Sequence, residues 1–157
     1  GHPMGAVVTT PEIAQAFNNG MEYFNTFGGN PVSCSIGIAV LDIIEQANLQ
    51  AHALEIGNYL LAQLSNLLTR HEQIGDIRGL GLFIGIEIVS NKQEKAPRRD
   101  LAKYIVERMK DHGILLSTDG PKGNVIKIKP PLVFDKTDAT RLIRALERIL
   151  LEDFVVT

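Results

Sequence analysis

The stretch Ile74-Gly-Asp-Ile-Arg-Gly-Leu-Gly-Leu-Phe-Ile-Gly-Ile-Glu-Ile88 decides how this chain folds. Within it Leu82, Ile84, Ile86 and Ile88 recur with period two, and Phe83 is also apolar. That alternation predicts a strand with one face in a core. The preceding Gly75-Asp76-Ile77-Arg78-Gly79 reads as a glycine-flanked turn carrying a lone arginine. Gly79-Leu80-Gly81 imitates the start of a dinucleotide-binding fingerprint, but the third glycine would fall at Ile84. The motif also precedes a strand, whereas the fingerprint follows one and opens a helix, so that reading is rejected.

Downstream, Ser90 to Arg99 is a charged, exposed connection, and Leu101, Ile105 and Met109 mark an amphipathic helix that Gly113 ends. Ile114 to Leu116 reads as a strand, Ser117 to Gly123 as a turn, and Val125 to Lys129 as a strand that Pro130-Pro131 stops. Asp135 caps a last helix whose apolar face includes Ala139, Leu142, Leu146 and Ile149. Strand, helix, strand, strand, helix predicts a small sheet with helices on one side, an α+β arrangement.

Upstream, Ala6 to Thr9 reads as a short strand, and Thr10-Pro11 opens a helix that runs to about Phe17. A helix from Pro31 to about Gln46 is apolar on all faces until Asp42 and Glu45, so it needs burial or a covering partner. A second long helix, Leu49 to Leu68, follows. Before Pro31 stands Asn25-Thr-Phe-Gly-Gly-Asn30, a loop with N–H groups, a hydroxyl and Asn30 as N-cap. A helix N-terminus behind such a loop suits a phosphate or carboxylate, and an ordinary capped loop is the alternative.

The composition is that of a globular protein, 45% hydrophobic and 22% charged. A formal net charge of −2, with basic residues gathered only locally, gives no case for nucleic acid or an anionic membrane as partner. Cys34 stands alone, which excludes an internal disulfide and suits a reducing compartment. His2, His52, His71 and His112 show no metal-ligand spacing, so no metal site is expected. The apolar run Ile36 to Ile44 is broken by Asp42 and is far short of the roughly 20 residues that span a bilayer. With no signal peptide in view, the expectation is a soluble, cytoplasmic protein. The abrupt start on Gly1-His-Pro-Met-Gly suggests a piece of a longer chain.

Five ordered blocks carry a resemblance. They are Gly1-His-Pro-Met-Gly-Ala-Val-Val-Thr-Thr10, Glu22-Tyr-Phe-Asn-Thr-Phe-Gly-Gly-Asn-Pro-Val-Ser-Cys34, Gly75-Asp-Ile-Arg-Gly-Leu-Gly-Leu-Phe-Ile-Gly85, Leu115-Leu-Ser-Thr-Asp-Gly-Pro121 and Asn124-Val-Ile-Lys-Ile-Lys-Pro-Pro131. Together they resemble the C-terminal part of a class III pyridoxal-phosphate aminotransferase, over essentially the whole chain. Within that family the chain looks most like the alanine–glyoxylate aminotransferase 2-like branch, which includes phospho-lyases acting on ethanolamine phosphate.

The resemblance implies an α/β fold, a fragment of fold type I. Residues 1–45 would be the end of the large cofactor-binding domain, and residues 46–157 the connecting helix and C-terminal α+β small domain. It implies pyridoxal 5'-phosphate as cofactor, a small-molecule amine as substrate and a homodimer as the working form. The threonine matching Thr26 reaches across that dimer to the cofactor phosphate of the other subunit, with Gly28 and Gly29 allowing close backbone approach. Many members carry an arginine that clamps the substrate carboxylate, and here Lys127 stands in its place. A lysine lacks the planar fork, which fits a substrate whose anionic group is a phosphate. Lys129, two residues on, would share its strand face and complete one anion patch. Lys127 as a solvated strand lysine is the alternative. Arg78 matches an arginine of the small domain, as a substrate contact or as a tie at a domain interface. The family's Schiff-base lysine lies upstream of Gly1, so these residues alone are not expected to be a competent enzyme. A non-catalytic α+β dimerisation or interaction module is the competing reading.

Overall fold

The computed structural model describes residues 2–152 and 154 of the 157, so Gly1, where the abrupt start was read, lies outside the described residues. The chain divides into two compact units, Gly1–Ala47 and Asn48–Thr157.

The first unit contains helix α1, Pro11–Phe17, and helix α2, Pro31–Gln46. Pro11 and Pro31 occupy the first helical turn, where the missing N–H costs nothing. Asn30 caps α2, its side-chain oxygen accepting from the N–H groups of Val32 (3.0 Å) and Ser33 (3.1 Å). Thr10 precedes α1, but its side chain makes no cap hydrogen bond. Ala6 to Thr9 form no strand among the described residues. The sheet is built wholly in the second unit, and an extended segment without a neighbour leaves its ladder groups unpaired.

The second unit begins with helix α3, Leu49–Arg70, and continues through strands β1, Ile74–Leu80, and β2, Phe83–Ile88. Helix α4, Arg99–Asp111, strands β3, Ser117–Asp119, and β4, Val125–Ile128, and helix α5, Lys136–Ile149, complete it. The four strands form one antiparallel sheet in the order β1-β2-β4-β3. Ile84, Ile86 and Ile88 of β2 and Ile126 and Ile128 of β4 are buried in one cluster with Leu60, Leu64 and Leu67 of α3. Leu101, Ile105 and Met109 of α4 and Leu142, Leu146 and Ile149 of α5 close the same core. The helices therefore cover one face of the sheet, and the other face carries Arg78, Glu87 and Lys127 together with the apolar Leu80, Phe83 and Val125.

Two expectations are corrected here. The segment read as a turn around Arg78 is strand β1, in a hairpin whose register sets Leu80 opposite Phe83. The turn lies at Gly81-Leu82, where Gly81 has φ +54 and supplies the left-handed conformation that a two-residue hairpin needs. The third strand is Ser117–Asp119, not Ile114–Leu116. The N–H of Gly113 bonds Lys110 O and that of Ile114 bonds Met109 O, so the backbone there closes α4 and is unavailable to a ladder. Among the described residues no single helix is long and apolar enough to cross a membrane.

Candidate functional site

In the first unit, Thr26 to Gly29 form a turn before α2. Asn25 organises it: its side-chain oxygen accepts from the N–H of Phe27 (3.1 Å) and of Gly28 (2.9 Å). The N–H of Asn30 bonds Phe27 O at 3.2 Å, and Asn30 in turn holds the N–H groups of Val32 and Ser33. The loop expected to present a row of free N–H groups has therefore spent those of Phe27 and Gly28 on Asn25 and that of Asn30 on Phe27 O. Among the described residues, the Thr26 hydroxyl and the N–H groups of Thr26 and Gly29 remain without a protein partner. Gly28 and Gly29 line a cavity of about 370 Å³ with Pro3, Met4, Asn25 and Ser33, and Thr26 is exposed beside it.

The first 47 residues contain no lysine or arginine. A phosphate dianion at this loop would meet only neutral donors, a hydroxyl and N–H groups, from this unit. Such donors fit a phosphate oxygen, but neutralising its charge needs cations from outside the unit. The residues fit one side of a cofactor-phosphate site.

In the second unit, the open face of the sheet carries a transverse row. Register places Arg78 on β1 opposite Gly85 on β2, Gly85 opposite Lys127 on β4, and Lys127 opposite Ser117 on β3. Alternation puts all four side-chain positions on the face away from the helices. Gly85, lacking a side chain, leaves a gap between the two cations. The gap is the floor of a cavity of about 470 Å³ bounded by Arg78, Lys127, Asp119, Phe83 and Leu80.

Both cations are already engaged. Lys127 Nζ donates to Asp119 Oδ2 at 2.8 Å, and the other Asp119 oxygen accepts from the N–H of Gly120 at 2.8 Å. The Lys127 ammonium, then the Gly120 N–H, hold the Asp119 carboxyl below its ordinary value. Arg78 Nη1 donates to Asp76 Oδ2 at 2.6 Å and Glu87 Oε2 at 2.9 Å, and these two hydrogen bonds raise its pKa further.

Lys127 and Arg78 thus share a cavity, whereas Lys127 and Lys129 do not. The strand ends at Ile128, and Lys129 lines a separate cavity of about 370 Å³ with Ile114, Pro130 and Arg141. Asp119, Gly85 and Glu87 escaped the sequence reading. Asp119-Gly120 looked like turn chemistry alone, and the pairing of Glu87 with Arg78 depends on a hairpin register that only the fold sets. Among the described residues no cluster of histidine, cysteine and acidic side chains could hold a metal ion.

Residues 1–150 match the family described as Aminotransferase class-III. Over 141 residues the chain is 55% identical to a Drosophila melanogaster protein named alanine–glyoxylate aminotransferase 2-like, covering 88% of this chain and 28% of that protein. Among solved structures, a phospholyase from Arthrobacter in complex with phosphoethanolamine superposes with TM-score 0.89 at 43% identity, covering 96% of this chain and 36% of that one. An amine transaminase from an uncultivated Pseudomonas species, in its PLP-bound form, superposes with TM-score 0.77 at 32% identity over 88% of this chain and 33% of that one. The chain thus spans about a third of the length of these proteins. With a match over nearly its whole length, the chain belongs to the class III aminotransferase family.

Proposed function

We propose that this chain is the small-domain side of a pyridoxal-phosphate enzyme that removes phosphate from a phosphorylated amine, with phosphoethanolamine as the type substrate. When bound, pyridoxal phosphate supplies the electron sink that makes cleavage beside the amine-bearing carbon possible. The reaction breaks the carbon–oxygen bond to phosphate and, with water, yields inorganic phosphate, an aldehyde and ammonia. Thr26 donates its hydroxyl to the cofactor phosphate of a second subunit, beside the Gly28-Gly29 backbone. Lys127, backed by Arg78 across the row, receives the anionic group of the substrate.

The observation that carries this reading is the Lys127–Asp119 pair on the cavity at Gly85. An incoming anion has to compete with Asp119 for the ammonium. A phosphate dianion does so better than a carboxylate, having twice the charge and three acceptor oxygens. A lysine also offers no fork for bidentate clamping of a carboxylate. The Arthrobacter structure supports a phosphorylated amine as substrate.

Amino transfer to a keto acid is the second reading, favoured by the name of the 55% identical Drosophila relative. The substitution Lys127→Gln, in a chain extended to the length of its relatives, separates the roles. KM for phosphoethanolamine is expected to rise about tenfold or more, the worth of one charge-assisted hydrogen bond, while cofactor absorbance is retained. An unchanged KM would remove Lys127 from the substrate site.

A further inference from the structure

Helix α5 carries three arginines on one face, Arg141, Arg144 and Arg148, at spacings of three and four residues. Side chains so spaced are neighbours, and like charges there repel in the absence of a counter-ion. Elsewhere in this unit Arg70, Arg78, Arg98 and Arg108 each hold a carboxylate. Among the described residues Arg144 and Arg148 have no hydrogen-bonding partner, and Arg141 has only the backbone oxygen of His112, at 2.7 Å. The nearby acids are committed. Glu147 pairs with Arg70, Asp111 with Arg108, and Asp138 completes the cap of α5.

The three arginines, with His112, the hydroxyl-bearing Thr137 and Lys136, whose ammonium is held by Glu55 at 2.7 Å, line a groove of about 620 Å³. Its size is that of a small-molecule site. Ala145 alone among its lining residues is apolar, so it lacks the hydrophobic anchors by which a peptide helix docks. It shares no lining residue with the cavity at Gly85. From Arg141 to Arg148 the helix rises about 10 Å, within which flexible guanidinium forks can converge on two adjacent phosphoryl groups.

We propose that this groove binds a diphosphate group, free or as part of a nucleoside diphosphate, with Arg144 and Arg148 as its principal bidentate contacts. The site is additional to the substrate anion site assigned to Lys127.

Titration calorimetry of the 157-residue chain with sodium pyrophosphate at constant ionic strength tests this. Saturable binding is expected, weakened about tenfold or more in R144Q/R148Q and less in R144K/R148K, which keeps the charge but loses the fork. Both residues are exposed, and circular dichroism of each variant checks that the fold is kept. The saturable pyrophosphate binding that R144Q/R148Q weakens should persist in Lys127→Gln. ADP competing as well as pyrophosphate would make the nucleotide the source of the diphosphate, and weaker competition would make it the free anion. Pyrophosphate binding no stronger than sulfate, loss of binding in Lys127→Gln, no loss in R144Q/R148Q, or tighter binding of an oligoglutamate peptide than of pyrophosphate would each overturn the proposal.

Discussion

His71 shows how a single residue translates burial into pH dependence. Its N–H continues α3 by bonding Leu67 O at 3.0 Å, and its ring is buried at the end of that helix. Desolvation first, then the charge of Arg70, push its pKa below the ordinary histidine value, with Glu147 opposing. A base whose folded pKa is depressed stabilises the fold fully above its unfolded value and loses that contribution as pH falls through it. Stability should therefore decline as pH drops below about 6.5. The carboxylates with lowered pKa, Asp100, Asp119 and Glu152 among them, act in a separate window below about pH 4. Thermal melts between pH 5 and 8 should show the upper decline in the natural chain and a flatter profile in His71→Gln; equal slopes would contradict the assignment. At this scale the caps were readable, because Asn30 and Asp135 act on residues two and three positions away. The engagement of Lys127 by Asp119 was not, because it joins positions whose strands had still to be paired.

Among the elements, the approach of α3 to the β1–β2 hairpin is the tightest constraint. A Cβ on Gly57 would lie 2.1 Å from the carbonyl oxygen of Gly81 and 2.4 Å from its carbonyl carbon, both backbone atoms that cannot step aside. Gly57→Ala should therefore destabilise the chain by about 1–3 kcal/mol despite alanine's better helix propensity. Gly37 in α2 makes the useful contrast. Its added Cβ would meet only the end of the Met4 side chain, which can rotate away, so Gly37→Ala should be neutral or stabilising by up to about 1 kcal/mol. Urea denaturation of both variants checks the pair, and similar losses would refute the backbone-contact argument. The helices were legible from the sequence, since α3 to α5 follow apolar spacing and Asn30 and Asp135 cap α2 and α5 locally. The sheet was legible only in part. Period two found β2 and β4, whereas β1 hid its strand among glycines and β3 is three polar residues whose only strand signal is their pairing with β4.

At the scale of the whole molecule, the two units differ in self-sufficiency. The second encloses a core of isoleucine and leucine, while the first buries almost none of its apolar residues. Val7 and Val8 are over 90% exposed, and Phe24, Phe27 and Val32 are also open. An exposed apolar surface of this kind calls for a covering partner. The family relationship supplies the reading: the chain spans about a third of its relatives, and the homodimer we propose would bring Thr26 to a neighbouring cofactor. In the proposed enzyme, Lys127 and the cavity at Gly85 serve a phosphorylated amine beside pyridoxal phosphate. The most direct measurement is inorganic phosphate released from phosphoethanolamine, in the absence of any keto acid, by a chain extended to the length of its relatives and loaded with cofactor. Stoichiometric release of phosphate and ammonia is the expected result. Amino transfer strictly dependent on added pyruvate, with no phosphate released, would contradict it.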